Sequence, residues 1–167
     1  MRMSYNPDPH HRRSIRLRGY DYAQVGAYFA TIVTHRRMRW LGRVSGGVVE
    51  LSEWGRMAER ELLRTPEARP NTTLDAYVVM PDHIHAIFVV LRREADPSQP
   101  AAAFQSPTGT LGAIVRGYKG AVTSQIRAQT GNASPLWLRN YHEHIVRDDE
   151  DLDRIRRYIA ANPSRWP

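Results

Sequence analysis

The stretch 75–90, with the sequence DAYVVMPDHIHAIFVV, carries most of the information about the fold. Its two apolar runs are separated by a Pro-Asp pair, which predicts two strands, at about 74–80 and 83–91, with a sharp bend between them. Residues two apart on a strand project from the same face. His83 and His85 should therefore lie side by side, and two neighbouring imidazoles on a rigid face are suited to hold a metal ion.

The flanking sequence predicts further strands and helices. Residues 24–35 are rich in aromatic and β-branched side chains, which is typical of a central strand. Residues 41–51 contain a Gly-Gly pair between short apolar runs, as in a hairpin. Residues 52–63 and 108–130 carry apolar side chains at helical spacing, which predicts two helices, and Ser52 can cap the first of them.

The C-terminal part predicts one more strand and one more helix. Residues 135–146 are interpreted as the last strand, and residues 65–72 as a connector. Asp148 can cap a helix that runs to about Ala161, because Pro163 disfavours helical geometry in the residue before it. The resulting order of strands and helices predicts an α+β domain, with helices packed on an antiparallel sheet.

The composition limits the chemistry and the organisation of the chain. Its 167 residues predict a single domain over 1–167, with a flexible tail at 1–11 and a mobile loop at 92–107, where Pro, Ala and Ser dominate. The absence of cysteine excludes disulfides, thiolate nucleophiles and cysteine zinc sites. A bound metal would need histidine, carboxylate or amide ligands.

The charge indicates a polyanionic partner. Lysine and arginine number 24 against 17 acidic residues, a formal net charge of +7, and most of the excess is arginine, which suits phosphate. Basic residues cluster at 10–18, 35–39 and 154–157, although any one cluster could be an ordinary solvated face. No apolar run approaches the roughly 18 residues that span a bilayer, so we expect a soluble intracellular protein with no membrane partner.

The last predicted helix carries a second group of polar residues. Arg154, Tyr158 and Asn162 are spaced four residues apart, so they share one edge of the helix, beside its apolar stripe. This spacing brings three groups into one row: a guanidinium that could bind phosphate, a phenol that could act as a nucleophile and an amide oxygen that could bind metal. This row and the histidine pair are candidate halves of one site.

Several motifs together resemble those of the REP-associated tyrosine transposase family, within the single-tyrosine HUH transposases. In order they are RSIRLRGY (13–20), VMPDHIHAI (79–87), LGAIVR (111–116), NYHEHIVRD (140–148), RRYIAANP (156–163) and Trp166. The resemblance implies a ferredoxin-like (RRM-like) antiparallel sheet. It also implies cutting and rejoining of single-stranded DNA through a 5′-phosphotyrosine link that leaves a free 3′-hydroxyl.

The resemblance also implies roles for particular residues. His83 and His85 match the ligands of a divalent metal, Mg²⁺ or Mn²⁺, and Asn162 matches a polar residue that approaches that metal. Tyr158 matches the nucleophile. The expected partner is single-stranded or hairpin DNA, bound by a monomer or homodimer in the bacterial cytoplasm, in association with the nucleoid. The residues predicted to bind DNA are Arg13, Arg16, Arg18, Arg116, Lys119, Arg154 and Arg157.

Simpler interpretations of the same residues stay open. A histidine pair on a strand can be structural, and Tyr158 can be an amphipathic residue at the margin of the core, with Tyr118 and Tyr141 as other candidate nucleophiles. Asn162, before a proline, can be a helix C-terminal cap.

The second histidine pair and the overall function also allow alternatives. His142 and His144 could join the first pair in a four-nitrogen zinc site. The protein could be a non-catalytic DNA-binding protein, or a metal phosphodiesterase that uses water and does not need Tyr158. The sequence also leaves open whether Tyr158 meets the histidines of its own chain or those of a partner.

Overall fold

The computed structural model describes residues 25–91 and 109–167. The predicted tail at 1–11, the predicted loop at 92–107 and the arginines at 13, 16 and 18 lie outside this part of the chain. In chain order the strands and helices are β1 (Gly26–Val33), β2 (Gly42–Ser45), β3 (Val48–Leu51), α1 (Glu53–Leu63), α2 (Thr65–Ala68), β4 (Thr72–Val79), β5 (His83–Val90), α3 (Leu111–Thr130), β6 (His142–Ile145) and α4 (Asp149–Ala161).

Among the described residues, the main sheet has four antiparallel strands in the order β4-β5-β1-β6, and β2 and β3 form a separate hairpin. The connection from β1 to β4 contains α1, and α3 connects β5 to β6, so each crossover skips one strand. This is the split βαβ topology of ferredoxin-like folds. The predicted α+β class and ferredoxin-like sheet are confirmed.

Local sequence signals account for most element boundaries. The Ser52 hydroxyl accepts a hydrogen bond from the Gly55 N–H, and the Asp148 carboxylate accepts one from the Asp151 N–H, so both predicted N-caps are confirmed. Gly46 and Gly47 both have positive φ, as the tight turn between β2 and β3 requires. The connector at 65–72 differs from the prediction in containing α2.

The last strand is much shorter than predicted. Of residues 135–146 only His142–Ile145 pairs with β1, and Trp137 makes an isolated bridge to Thr34. The reason lies on α3, where the Lys119 ammonium donates to the carbonyls of residues 138, 139 and 140. Carbonyls turned toward Lys119 do not continue a strand ladder, so the prediction of one long strand was wrong.

The two faces of the sheet bury different helices. One face packs against α1 and α3 in the main core, which includes Tyr28, Ile84 and Phe88. The opposite face packs against α4, through Ile87 on β5 and Ile155 and Ile159 on α4. Across 25–91 and 109–167, no helix is both long and apolar enough to cross a membrane.

Replacing Ile159 with alanine should weaken the docking of α4. Ile159 is 2% exposed and packs against Ile87, so truncation removes buried methyl groups and leaves a cavity. We expect a loss of about 2–4 kcal/mol in the free energy of unfolding, measured by urea denaturation, and about 1 kcal/mol for Ile159→Val. A loss for the alanine variant no larger than that for the valine variant would contradict this packing.

Candidate active site

The histidine pair lies on the sheet face that α4 covers. In β5, His83 pairs with Val33 and His85 pairs with Thr31 of β1, and the side chains of both histidines are buried. Their ring centroids are 4.5 Å apart. The alternation of strand side chains therefore places the two imidazoles next to each other, as predicted.

Both imidazoles are held through the same ring nitrogen. The Nδ1 of His83 is 2.6 Å from Oδ1 of Asp82, and the Nδ1 of His85 is 2.8 Å from Oγ1 of Thr31. Arg37 donates to the other Asp82 oxygen at 3.1 Å. An oxygen partner on Nδ1 leaves Nε2 as the nitrogen for a cation, which is how metal-binding histidines are usually oriented.

The electrostatics of the pair suit metal ligation. Burial lowers the pKa of His85 to about 3, and the neighbouring His83 acts in the same direction against the charge of Asp82. The His85 ring is therefore neutral near neutral pH. Only the neutral ring has a nitrogen lone pair to give to a metal.

Tyr158 on α4 reaches the histidine pair of its own chain. Its hydroxyl oxygen is 3.4 Å from Nε2 of His85, and its ring lies edge-on to Phe29. The side chain is 43% exposed, so it is open to a ligand as well as to the histidine. Tyr158 and His85 of the same chain are therefore close enough to act in one site.

A bidentate ion pair fixes the helix that carries Tyr158. Arg156 donates from Nε and Nη2 to the two carboxylate oxygens of Asp75 on β4, at 2.9 and 2.6 Å. The hydrogen bond from Arg156 lowers the pKa of Asp75. Paired bonds of this kind restrict orientation as well as distance, so they help to hold Tyr158 over the sheet.

An open, basic cleft surrounds the tyrosine. It has a volume of about 680 Å³. The lining combines Tyr158 and His85 with a second histidine, three arginines and the apolar side chains of Phe29 and Ile155. The lining residues are Phe29, Thr31, His85, His144, Arg154, Ile155, Arg157, Tyr158 and Arg165. Two of the arginines predicted to bind DNA, Arg154 and Arg157, are therefore beside the candidate nucleophile.

The other predicted site residues in the described part of the chain are not among those that line the cleft. Asn162 caps α4, where its backbone N–H donates to the Ile159 carbonyl, and it is not among the residues that line the cleft. Arg116 is on α3, across the sheet from α4. Lys119, also on α3, donates to three backbone carbonyls, and burial lowers its pKa to about 8. The structure thus brings His83, His85 and Tyr158 together and places Arg116 and Lys119 on α3, whereas Asn162 lies about one helical turn beyond Tyr158.

The alternative nucleophiles are poorly placed. The Tyr118 hydroxyl donates to the Ala58 carbonyl at 2.9 Å in the main core, and burial raises its pKa well above the usual value. Tyr141 packs on the margin of the same core, with Nζ of Lys119 5.9 Å from its ring centroid. Neither lines the cleft that contains Tyr158 and His85.

The four-histidine zinc site is not formed. Within residues 25–91 and 109–167, no group of three or more His, Asp or Glu side chains is arranged to hold a metal. His144 instead has its Nε2 2.7 Å from Oδ2 of Asp151 on α4. His144 therefore has a different partner from His83 and His85.

Sequence reasoning missed the partners of the histidines. Asp82 directly precedes His83, which was a usable signal, whereas Thr31 and Asp151 become neighbours only through strand register and helix docking. Trp166 was part of the family motif but had no predicted role. Its ring lies 6.0 Å from that of His83, and the Arg39 guanidinium lies 5.2 Å above it.

Comparison with known protein sequences gives two relatives in Haemophilus influenzae. One, named only as uncharacterized, is 34% identical over 173 residues, covering 99% of this chain and 96% of the relative. The other, provisionally named a REP-associated tyrosine transposase, is 26% identical over 144 residues, covering 86% and 73% of the respective chains. No protein-family model matches the chain.

Comparison with solved structures supports the fold. A REP-associated tyrosine transposase bound to a REP hairpin superposes with a TM-score of 0.57 at 21% identity, covering 89% of this chain and 72% of that one. A provisionally named transposase from Deinococcus radiodurans gives a TM-score of 0.50 at 19% identity, with 87% and 95% coverage. Both share the arrangement of the sheet and its helices.

Proposed function

We propose that this chain is a REP-associated tyrosine transposase, the provisional name of its 26% identical relative, and that it cuts and rejoins single-stranded DNA through a covalent link to Tyr158. The observation that carries the proposal is the placement of the Tyr158 hydroxyl 3.4 Å from His85, in an open cleft that arginines line. A nucleophile, a pair of candidate metal ligands and a phosphate-binding surface are thereby combined within one chain.

The proposed reaction exchanges one phosphodiester bond for another. The Tyr158 oxygen attacks the scissile phosphorus and loses its proton as the new bond forms. The bond from phosphorus to the DNA 3′-oxygen breaks, and that oxygen takes up a proton to become a free 3′-hydroxyl. The 5′-phosphate stays on Tyr158 with its bond energy conserved, so a 3′-hydroxyl can reverse the step without ATP.

The histidine pair fits a divalent cation. His83 and His85 would hold it through Nε2, since Asp82 and Thr31 occupy the Nδ1 atoms. The family pattern adds Asn162 as a third ligand. When bound, Mg²⁺ or Mn²⁺ draws charge from the phosphate oxygens and orients the phosphate for in-line attack. Imidazole ligands favour Mn²⁺, although phosphate oxygens and water in the remaining positions also suit Mg²⁺.

The proposed substrate is single-stranded or hairpin DNA. Arg157 and Arg165 line the cleft together with Tyr158, where their guanidinium groups can bind phosphates of a DNA strand. The net charge of +7 favours a polyanion. The structural relative bound to a REP hairpin shows that a protein of this fold takes such DNA.

The proposal can be tested with end-labelled hairpin DNA that carries a single-stranded flank. The protein is incubated with the DNA and Mn²⁺ or Mg²⁺, and denaturing electrophoresis then shows whether label remains on the protein. A metal-dependent, denaturant-resistant adduct is the expected result. Cleavage without an adduct would indicate a phosphodiesterase that uses water, and binding without cleavage would indicate a DNA-binding protein.

Replacing Asp82 with asparagine should weaken metal binding. The substitution removes the carboxylate that orients His83, and such outer partners typically change metal affinity by about 10–100-fold. We expect a loss of that size in Mn²⁺ affinity by isothermal titration calorimetry. Glu50→Gln, which neutralises an exposed hairpin carboxylate, is the control. Equal affinity in the two variants would show that Asp82 does not support a metal site.

A further inference from the structure

A second histidine faces the cleft from the side opposite His85. His144 on β6 pairs with Phe29 on β1, so it lies on the same sheet face as the first histidine pair. β1 lies between β5 and β6 in the sheet, and His85 pairs with Thr31 of β1. The two histidines are therefore two strands apart and two residues out of register, roughly 12 Å at ordinary strand geometry. Both side chains line the cleft with Tyr158. A phosphodiester bound there can be approached from both sides.

Asp151 fixes the orientation of the His144 ring. The carboxylate is buried at the start of α4, and its Oδ2 lies 2.7 Å from Nε2 of His144. It also accepts hydrogen bonds from the Arg147 backbone N–H and from the Arg154 side chain. The bond from His144 lowers the pKa of Asp151 to about 2, and the other two bonds act in the same direction against the effect of burial.

The ionised Asp151 carboxylate determines which nitrogen of the His144 ring remains available to a ligand. A carboxylate can only accept hydrogen bonds, so Nε2 of His144 must carry the proton that is shared with Asp151. The remaining nitrogen, Nδ1, has no hydrogen-bond partner in the part of the chain that the structure describes. An imidazole held by a carboxylate on one nitrogen and open on the other is the arrangement that enzymes use for proton transfer.

We propose that His144 is a catalytic residue that exchanges a proton with the DNA 3′-oxygen, and that Asp151 is its positioning residue. This inference rests on the proposed function. During cleavage the bond from phosphorus to the 3′-oxygen breaks, its electron pair stays on that oxygen, and the protonated His144 ring supplies the proton. During rejoining the 3′-hydroxyl returns this proton to His144 as its oxygen attacks the phosphorus and the bond to Tyr158 breaks.

Loss of activity alone would not establish this role, because the contact with Asp151 also ties β6 to α4. A substrate with sulfur in place of the scissile 3′-oxygen separates the two explanations. A thiolate leaves without being protonated, so it removes the need for a general acid. A structural defect would slow both substrates alike.

The experiment compares the rate of adduct formation on oxygen-containing and sulfur-containing hairpins in Mn²⁺. His144→Gln should slow the reaction by about 10²-fold or more with the oxygen substrate and by less than about threefold with sulfur. His142→Gln, two residues away on the same strand, is the matched control and should change neither rate. If His144→Gln fails to fold, Asp151→Asn is compared on the same two substrates. It should slow adduct formation on the oxygen substrate by a smaller factor, and the sulfur substrate should again restore the rate.

The remaining outcomes separate the role of His144 from the proposed function. Equal slowing of the variant on both substrates, or no slowing on either, would overturn the role of His144 and leave the proposed function intact. A wild-type protein that forms no adduct with either substrate would overturn the proposed function, and this inference with it.

Discussion

Replacing Tyr158 with phenylalanine is expected to abolish the covalent adduct with DNA. Phenylalanine keeps the edge-on ring contacts with Phe29 and His85 but has no oxygen to attack phosphorus. Loss of the nucleophile should reduce the rate of adduct formation on the order of 10⁴-fold or more. The affinity for hairpin DNA, measured by fluorescence anisotropy, should change little, because the arginines that line the cleft are unaltered.

Tyr141→Phe is the matched control for this substitution. Tyr141 packs on the margin of the main core, outside the cleft, so its loss should leave adduct formation near the wild-type rate. Adduct formation by Tyr158→Phe at the wild-type rate would show that another residue is the nucleophile. Cleavage that persists without an adduct would favour the hydrolytic phosphodiesterase.

Replacing both His83 and His85 with alanine should have the second largest effect. The two rings supply the only pair of adjacent imidazoles beside Tyr158 within residues 25–91 and 109–167, so their loss should abolish Mn²⁺ binding in calorimetry. Metal stabilisation of the transition state is worth several kcal/mol, so adduct formation should fall by about 10³-fold. The expected loss is smaller than for Tyr158, because the nucleophile is still present.

The control is a second double variant, His142→Ala with Glu50→Ala. Like the first, it removes two side chains, one of them an imidazole, but neither residue lines the cleft. This variant should bind Mn²⁺ and form the adduct like the wild type. If the His83 and His85 double variant binds Mn²⁺ as tightly as the wild type, the ligand role of the pair is wrong. Unchanged adduct formation would contradict the proposed metal dependence.

The fold followed from the sequence wherever a local signal determined it. Both strands of the stretch 75–90 were predicted to within two residues, because two apolar runs and a Pro-Asp break are local features. The Gly-Gly turn and the caps at Ser52 and Asp148 could likewise be predicted from the sequence. The segment 135–146 was not, because its carbonyls bond to Lys119, a residue on another element that no local pattern connects with it.

The candidate site likewise contains some features that local sequence patterns predict and others that depend on how the chain folds. The proximity of His83 and His85 depends on strand alternation, and the accessibility of Tyr158 depends on helical periodicity, so both were predictable. The partnership of Thr31 with His85 depends on strand register, and that of Asp151 with His144 depends on how α4 docks. Asn162 was placed by its helical spacing from Tyr158 and by the family motif, and its part in the site stays a prediction.

The central claim, that Tyr158 forms the covalent link to DNA, is tested most directly by identifying the linked peptide. The adduct formed on hairpin DNA is digested with nuclease and trypsin and analysed by mass spectrometry. The tryptic peptide 158–165, YIAANPSR, contains a single tyrosine and should carry the residual nucleotide on Tyr158 through a phosphate. A nucleotide on any other peptide, such as 140–147 with Tyr141, would contradict the assignment of Tyr158 as the nucleophile.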